Sequence, residues 1–299
     1  MYKDTDPRAA IFAAAAAPAR TGLIAEEQLA EFGKTPPQQE GEGARVWLQR
    51  GCNFVLAYGE AEPGAVFARD GQSDEYVVLL PDSPAVIEAN GERLEVAKNS
   101  IAFVPPGTSR VTLPDGGTVV RLFTAAASDL VALCPNAGAY DAGRSHIPPF
   151  AAWPEPAGGW RIRAYGLDVP PREGRFGRIF RCTTFMVNFL DVQKGPRDPK
   201  KLSPHHHDDF EQCSLALGGA FTHHLRWPWT VDRSDWRDDR HIEVGSPSSL
   251  VIPPPVIHTT EATGAGENVL VDIFCPPRMD FSLQDGWVLN ADDYPMPRA

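Results

Sequence analysis

Pro204-His205-His206-His207-Asp208-Asp209-Phe210-Glu211 is the densest run of chemistry-bearing residues in the chain. Side chains alternate faces along a strand, so His205 and His207 point the same way, about 7 Å apart at the Cβ level, and can close on one metal. Glu211 shares their parity. Four residues of straight strand would carry it roughly 13 Å beyond His207, too far for ligand bonds of about 2 Å. The chain must therefore turn or bulge, and Asp208-Asp209 is suitable turn chemistry. His206 faces away by parity and reads as polar surface. A fourth ligand must come from elsewhere. His258 is the candidate, because Pro253-Pro254-Pro255 fixes the backbone just before it. Three neutral imidazoles and a carboxylate suit Fe(II), Mn(II), Ni(II), Co(II) or Zn(II) and leave positions open for substrate, water or dioxygen.

The surrounding sequence is β-rich. From Arg45 onward short strand-like runs alternate with turns, as in Asn53–Tyr58, Glu75–Leu80, Ser100–Val104 and Thr118–Phe123. Residues 125–170 interrupt the pattern with Pro, Ala and Gly and with Trp153 and Trp160, and read as a connector packing on both halves. Strand-like runs resume at Ile179–Phe189, Phe210–Leu217, Phe221–Trp227, Ser249–Ile252 and Val269–Phe274. The second series repeats the first. Arg93-Leu94-Glu95-Val96 matches His241-Ile242-Glu243-Val244, Val104-Pro105-Pro106 matches Ile252-Pro253-Pro254, and Asp74-Glu75-Tyr76 matches Phe210-Glu211-Gln212. Upstream, Ala9–Ala17 reads as a helix stopped by Pro18, and Thr21 caps a second helix running to about Phe32.

Composition sets the limits. The chain has 299 residues, 42% of them hydrophobic, with 26 glycines and 29 prolines, which suits a packed, turn-rich fold. Its formal charge of −11 disfavours nucleic acid or an anionic membrane as partner. No apolar run approaches the roughly 18 residues of a membrane span. The cysteines Cys52, Cys134, Cys182, Cys213 and Cys275 are odd in number and widely spaced, which fits reduced thiols in a cytoplasm. No phosphate-binding loop, dinucleotide fingerprint or nucleophile elbow is present.

His205-x-His207-x3-Glu211-x6-Gly218 resembles the first motif of the cupin superfamily, and Gly245 with Pro253-x-Pro255-x2-His258 resembles the second. The second departs from the family by a longer gap after Gly245, by Pro255 where Gly is usual, and by lacking the Asn that often follows the His. The resemblance implies an all-β chain of two tandem jelly-roll barrels, a bicupin. The expected layout is a helical extension at 1–45, a degenerate barrel at 46–128, a connector at 129–174, a metal-binding barrel at 175–285 and a tail at 286–299. In the first barrel the repeat puts Arg69, Gly71 and Arg110 where His205, His207 and His258 stand, and only Glu75 remains. Arginine stays protonated and does not ligate metals, so this barrel is expected to be metal-free.

A hairpin at Gly218-Gly219 would place Thr222, His224 and Arg226 on the face of Glu211 and Cys213. His224 is then the candidate acid/base, Arg226 a carboxylate clamp, and Trp227 a rim over the barrel mouth. Arg161, Arg163, Arg172, Arg175, Arg178 and Arg181 form either an acid-binding patch or an ion-paired solvated face. The reading is a metal-dependent enzyme acting on a small organic molecule. An Fe(II)-type dioxygenase leads. A sugar-acid or keto-sugar isomerase or lyase is the alternative, and a non-catalytic ligand-binding protein the third. The resemblance also implies a homodimer.

Overall fold

The computed structural model describes residues 24–141 and 146–297. The expected helix at Ala9–Ala17 lies outside them. The first half contains β1 (Gln28–Glu31), β2 (Gln39–Gly41), β3 (Ala44–Arg50), β4 (Phe54–Ala61), β5 (Ala65–Gln72), β6 (Tyr76–Leu80), β7 (Ala85–Ala89), β8 (Glu92–Val96), β9 (Ser100–Val104), β10 (Gly107–Leu113) and β11 (Gly117–Thr124). The connector carries α1 (Ser128–Leu133) and β12 (Arg163–Gly166). The second half holds β13 (Arg178–Arg181), β14 (Met186–Phe189), β15 (Gln193–Lys194), β16 (Gln212–Gly218), β17 (Ala220–Arg226), β18 (Arg240–Gly245), β19 (Ser248–Ile252), β20 (Ile257–Ala262), β21 (Glu267–Phe274) and α2 (Met279–Ser282). No helix among the described residues is long and apolar enough to cross a membrane.

Each half pairs a wide sheet with a narrow one. The N-terminal barrel closes β12-β9-β6-β11-β4-β3-β2 over β5-β10-β7-β8, and the C-terminal barrel closes β1-β19-β16-β21-β14-β13 over β18-β17-β20. The wide sheets pack on each other. In β6, Val77 and Leu79 join a core shared with Phe180, Val187, Leu215 and Ile273 of the other barrel, while Tyr76, Val78 and Leu80 fill their own barrel. A strand covered on both faces must be apolar throughout, which explains the unbroken Tyr76–Leu80 run. In the outer strand β10, Ser109, Val111 and Leu113 are buried and Arg110 is exposed. One face of that sheet meets water.

Two expectations are corrected here. The helix from Thr21 to Phe32 is not formed over its described part: Gln28–Glu31 is a strand, antiparallel to β19 with Gln28 opposite Val251. A short isolated helix gains little in water, whereas this segment satisfies the open edge of β19. The residue standing where His258 stands is Ser109, not Arg110. Ser109 pairs with Arg69 across β10 and β5, as His258 pairs with His205. None of the five cysteines is in a disulfide.

Candidate metal centre

His205 lies just before β16, and His258 is the second residue of β20. Their backbones exchange two hydrogen bonds, His205 N–H to His258 C=O at 3.0 Å and the reverse at 2.7 Å. This places the rings 4.5 Å apart, with His207 5.0 and 5.2 Å from them. All three are buried, and their ligating nitrogens lie within 4.8 Å of one another. His205 Nδ1 donates to Ser203 C=O and His258 Nδ1 to Val256 C=O, each at 2.9 Å. In the neutral rings those bonds leave Nε2 as the lone-pair atom, a tautomer suited to metal ligation. Burial, then the Arg278 guanidinium and the two neighbouring imidazoles, hold His207 well below the ordinary histidine range.

The fourth group facing this trio is Gln212, which the sequence reading missed. Its Nε2 donates to Ser214 Oγ and Asp272 Oδ1, both at 3.1 Å, which turns its oxygen toward the histidines. That oxygen is 3.0 Å from His207 Nε2 and 3.4 Å from His258 Nε2. In the neutral tautomer the second contact sets two acceptors face to face, an arrangement that a bound cation relieves. The donor set therefore fits a divalent metal.

Glu211 is not with the histidines. Tyr140 Oη donates to its Oε1, and Cys52 N–H to its Oε2, each at 2.8 Å. Strand β16 starts one residue later, so Gln212 and Ser214 point into the barrel while Glu211 and Cys213 point toward the other barrel. The irregular stretch from 208 to 210 breaks the parity that linked Glu211 to His207. Burial pushes the Glu211 carboxyl up to about 7, against hydrogen bonds from Tyr140, Cys52 and Asn53. Glu75 mirrors it in the first barrel: Tyr294 Oη donates to its Oε1 at 2.7 Å, and Thr183 N–H and Oγ1 bond its Oε2 at 3.0 and 2.9 Å.

No family model and no curated protein matches the sequence. Solved structures do match the fold. Oxalate decarboxylase from Lactobacillus farciminis, solved as a formate complex, is 12% identical over 86% of this chain and 88% of that one, with a TM-score of 0.58. A variant of oxalate decarboxylase from Bacillus subtilis is 14% identical over 86% and 79%, with a TM-score of 0.56. AerE from Microcystis aeruginosa is 6% identical over 85% and 99%, with a TM-score of 0.54. The fold is a double cupin.

In the second cupin barrel the remaining candidates fall on the wrong face. Strands β16 and β17 do not form a hairpin; the chain folds at Gly219 (φ 87°) and crosses from the wide sheet to the narrow one. The parity inferred across that turn is therefore off by one. His223, opposite Thr260, points inward, while His224, Arg226 and Thr222 belong to the outer face. His224 lies against His241 and Glu261, and Arg226 is paired with Asp239 at the exposed surface. Trp227 is no rim: it is buried among Ile24, Leu225, Leu250 and Val256 and donates to Ala25 C=O. His223 Nδ1 is bonded to Thr260 Oγ1 at 2.9 Å, and burial holds its imidazole down to about 3.

Of the trio, His205 and His258 open onto a cavity of about 430 Å³, lined also by Gln212, Asp272, Arg175 and Arg197 among others. In the first cupin barrel Arg69, Gly71 and Ser109 take the ligand positions, and among the described residues the trio is the group identified as able to hold a metal.

Proposed function

We propose that this bicupin is a metal-dependent enzyme of small organic acids, with His205, His207 and His258 as the metal ligands. The observation that carries the reading is three buried imidazoles meeting beside a cavity that also holds two arginines. A divalent ion held there supplies Lewis acidity and, as Fe(II), electrons for dioxygen. The protein supplies orientation. Ser203 and Val256 carbonyls fix two ring tautomers, and Asp272 and Ser214 fix Gln212. Arg197 and Arg175 draw an anionic substrate toward the trio.

The leading reaction remains dioxygenation of a substrate that chelates through enolate, hydroxyl or carboxylate oxygens. A ligand set without a carboxylate leaves much of an octahedral shell for a bidentate substrate and dioxygen. The isomerase or lyase reading loses its expected base, because His224 lies outside the barrel and His223 is too weakly basic at neutral pH. Elemental analysis and oxygen uptake test the proposal, with diketones, catechols and hydroxy or keto acids as substrates. Oxygen consumption abolished in His205→Ala is expected. Equal turnover under nitrogen would move the reaction to the isomerase or lyase class, and protein unable to take up metal would end the proposal.

A further inference from the structure

The first cupin barrel inverts the charge logic of the second. Arg121, on β11, stands opposite Val78 of β6, as Asp272 stands opposite Ser214. Its guanidinium points into the barrel, 4.6 Å from the Phe67 ring centre and 5.5 Å from that of Phe123. The residue is 5% exposed, its Nε has no hydrogen-bond partner, and it makes no ion pair with any described residue. Burial lowers this guanidinium to about 10, which still leaves it charged at neutral pH. A buried cation without a counter-ion is costly, and natural interiors pair such charges.

Neighbouring groups sharpen the chemistry. Arg69 is already matched, with its two terminal nitrogens 2.6 and 3.1 Å from the Asp129 oxygens. Tyr76 and Ser109 share a hydroxyl hydrogen bond of 2.9 Å at the same end of the barrel. A cavity of about 330 Å³ reaches both arginines past Val46, Val66, Phe67 and Leu130, with exposed Glu40 and Glu42 at its edge. The site thus offers one uncompensated positive charge beside an apolar wall.

We infer that the N-terminal barrel binds a small organic monocarboxylate, its carboxylate on Arg121 and its apolar body against Phe67 and Leu130. This site is separate from the metal centre and does not depend on the reading of that centre. The test titrates the full chain with benzoate and with benzamide, which has the same ring and no charge, by calorimetry and thermal shift. Wild type is expected to take up benzoate saturably with a raised Tm, and benzamide not at all. R121M is expected to lose that benzoate and H258A to keep it. R121K, which keeps the charge but not the fork, should weaken binding about tenfold and carries the test if R121M does not fold. Benzoate binding that survives in R121M, or that disappears only in H258A, would overturn the inference. Absence of saturable benzoate binding to wild type would overturn it equally.

Discussion

Tyr140 of the connector donates a 2.8 Å hydrogen bond to Glu211 of the opposite barrel. The same bond recurs from Tyr294, in the C-terminal tail, to Glu75 of the first barrel. The repeated glutamate thus serves the contact between barrels, each one held by a tyrosine that follows the other barrel. Removing either hydroxyl leaves a buried carboxylate oxygen short of a donor. Tyr140→Phe and Tyr294→Phe are each expected to cost about 1–3 kcal/mol, read by chemical denaturation.

Metal content distinguishes Glu211 from the histidines. Alanine at His205, His207 or His258 should abolish stoichiometric metal. Gln212→Ala should weaken it about 10–100-fold, since an orienting group is lost. Glu211→Gln should retain it. Elemental analysis with a competing chelator measures all five.

Glu211 also gives stability an unusual pH dependence. Its folded-state carboxyl, at about 7, lies above the ordinary 4.5, so the folded chain holds a proton that the unfolded chain has released. Stability therefore falls as pH rises from 4.5 to 7, by on the order of 3 kcal/mol from this group. Burial raises Glu75 as well, and its contribution has the same sign. Denaturation at a series of pH values should show this slope, flattened in Glu211→Gln whatever the variant's absolute stability.

Neighbouring histidines should respond unequally to truncation. His224→Ala and Arg226→Ala, on the outer face, should change stability by no more than about 0.5 kcal/mol and leave metal uptake intact. His223→Ala removes a buried ring and deprives Thr260 of its partner, so about 2 kcal/mol or more should be lost. Thermal melts of the three variants decide this.

The two barrels were legible in the sequence because turn-separated apolar runs recur with matched blocks. The histidine trio was legible because two alternate histidines and a third after a proline run are a dense set of ligands, although His205 and His207 precede β16 and only His205 bridges to β20. The fourth position was not. Parity carries across a regular strand only, and the stretch from 208 to 210 is irregular, so Glu211 and Gln212 exchange faces. The same limit applies at Gly218-Gly219, where a glycine pair signals a turn but not whether the chain returns to the same sheet. The partners of Gln212 were equally out of reach: Ser214 and Asp272 are 58 residues apart, and only the fold brings them together.

Strand β1 belongs by sequence to the first half and by pairing to the second. A fragment beginning after the connector would lack it, leaving the β19 edge bare and inviting pairing with other copies. The exchange runs both ways, because β12, which precedes the second barrel, pairs with β9 at the edge of the first. Calorimetry should therefore show a single cooperative melting event for both halves, and neither half should persist as a soluble monomer when expressed alone.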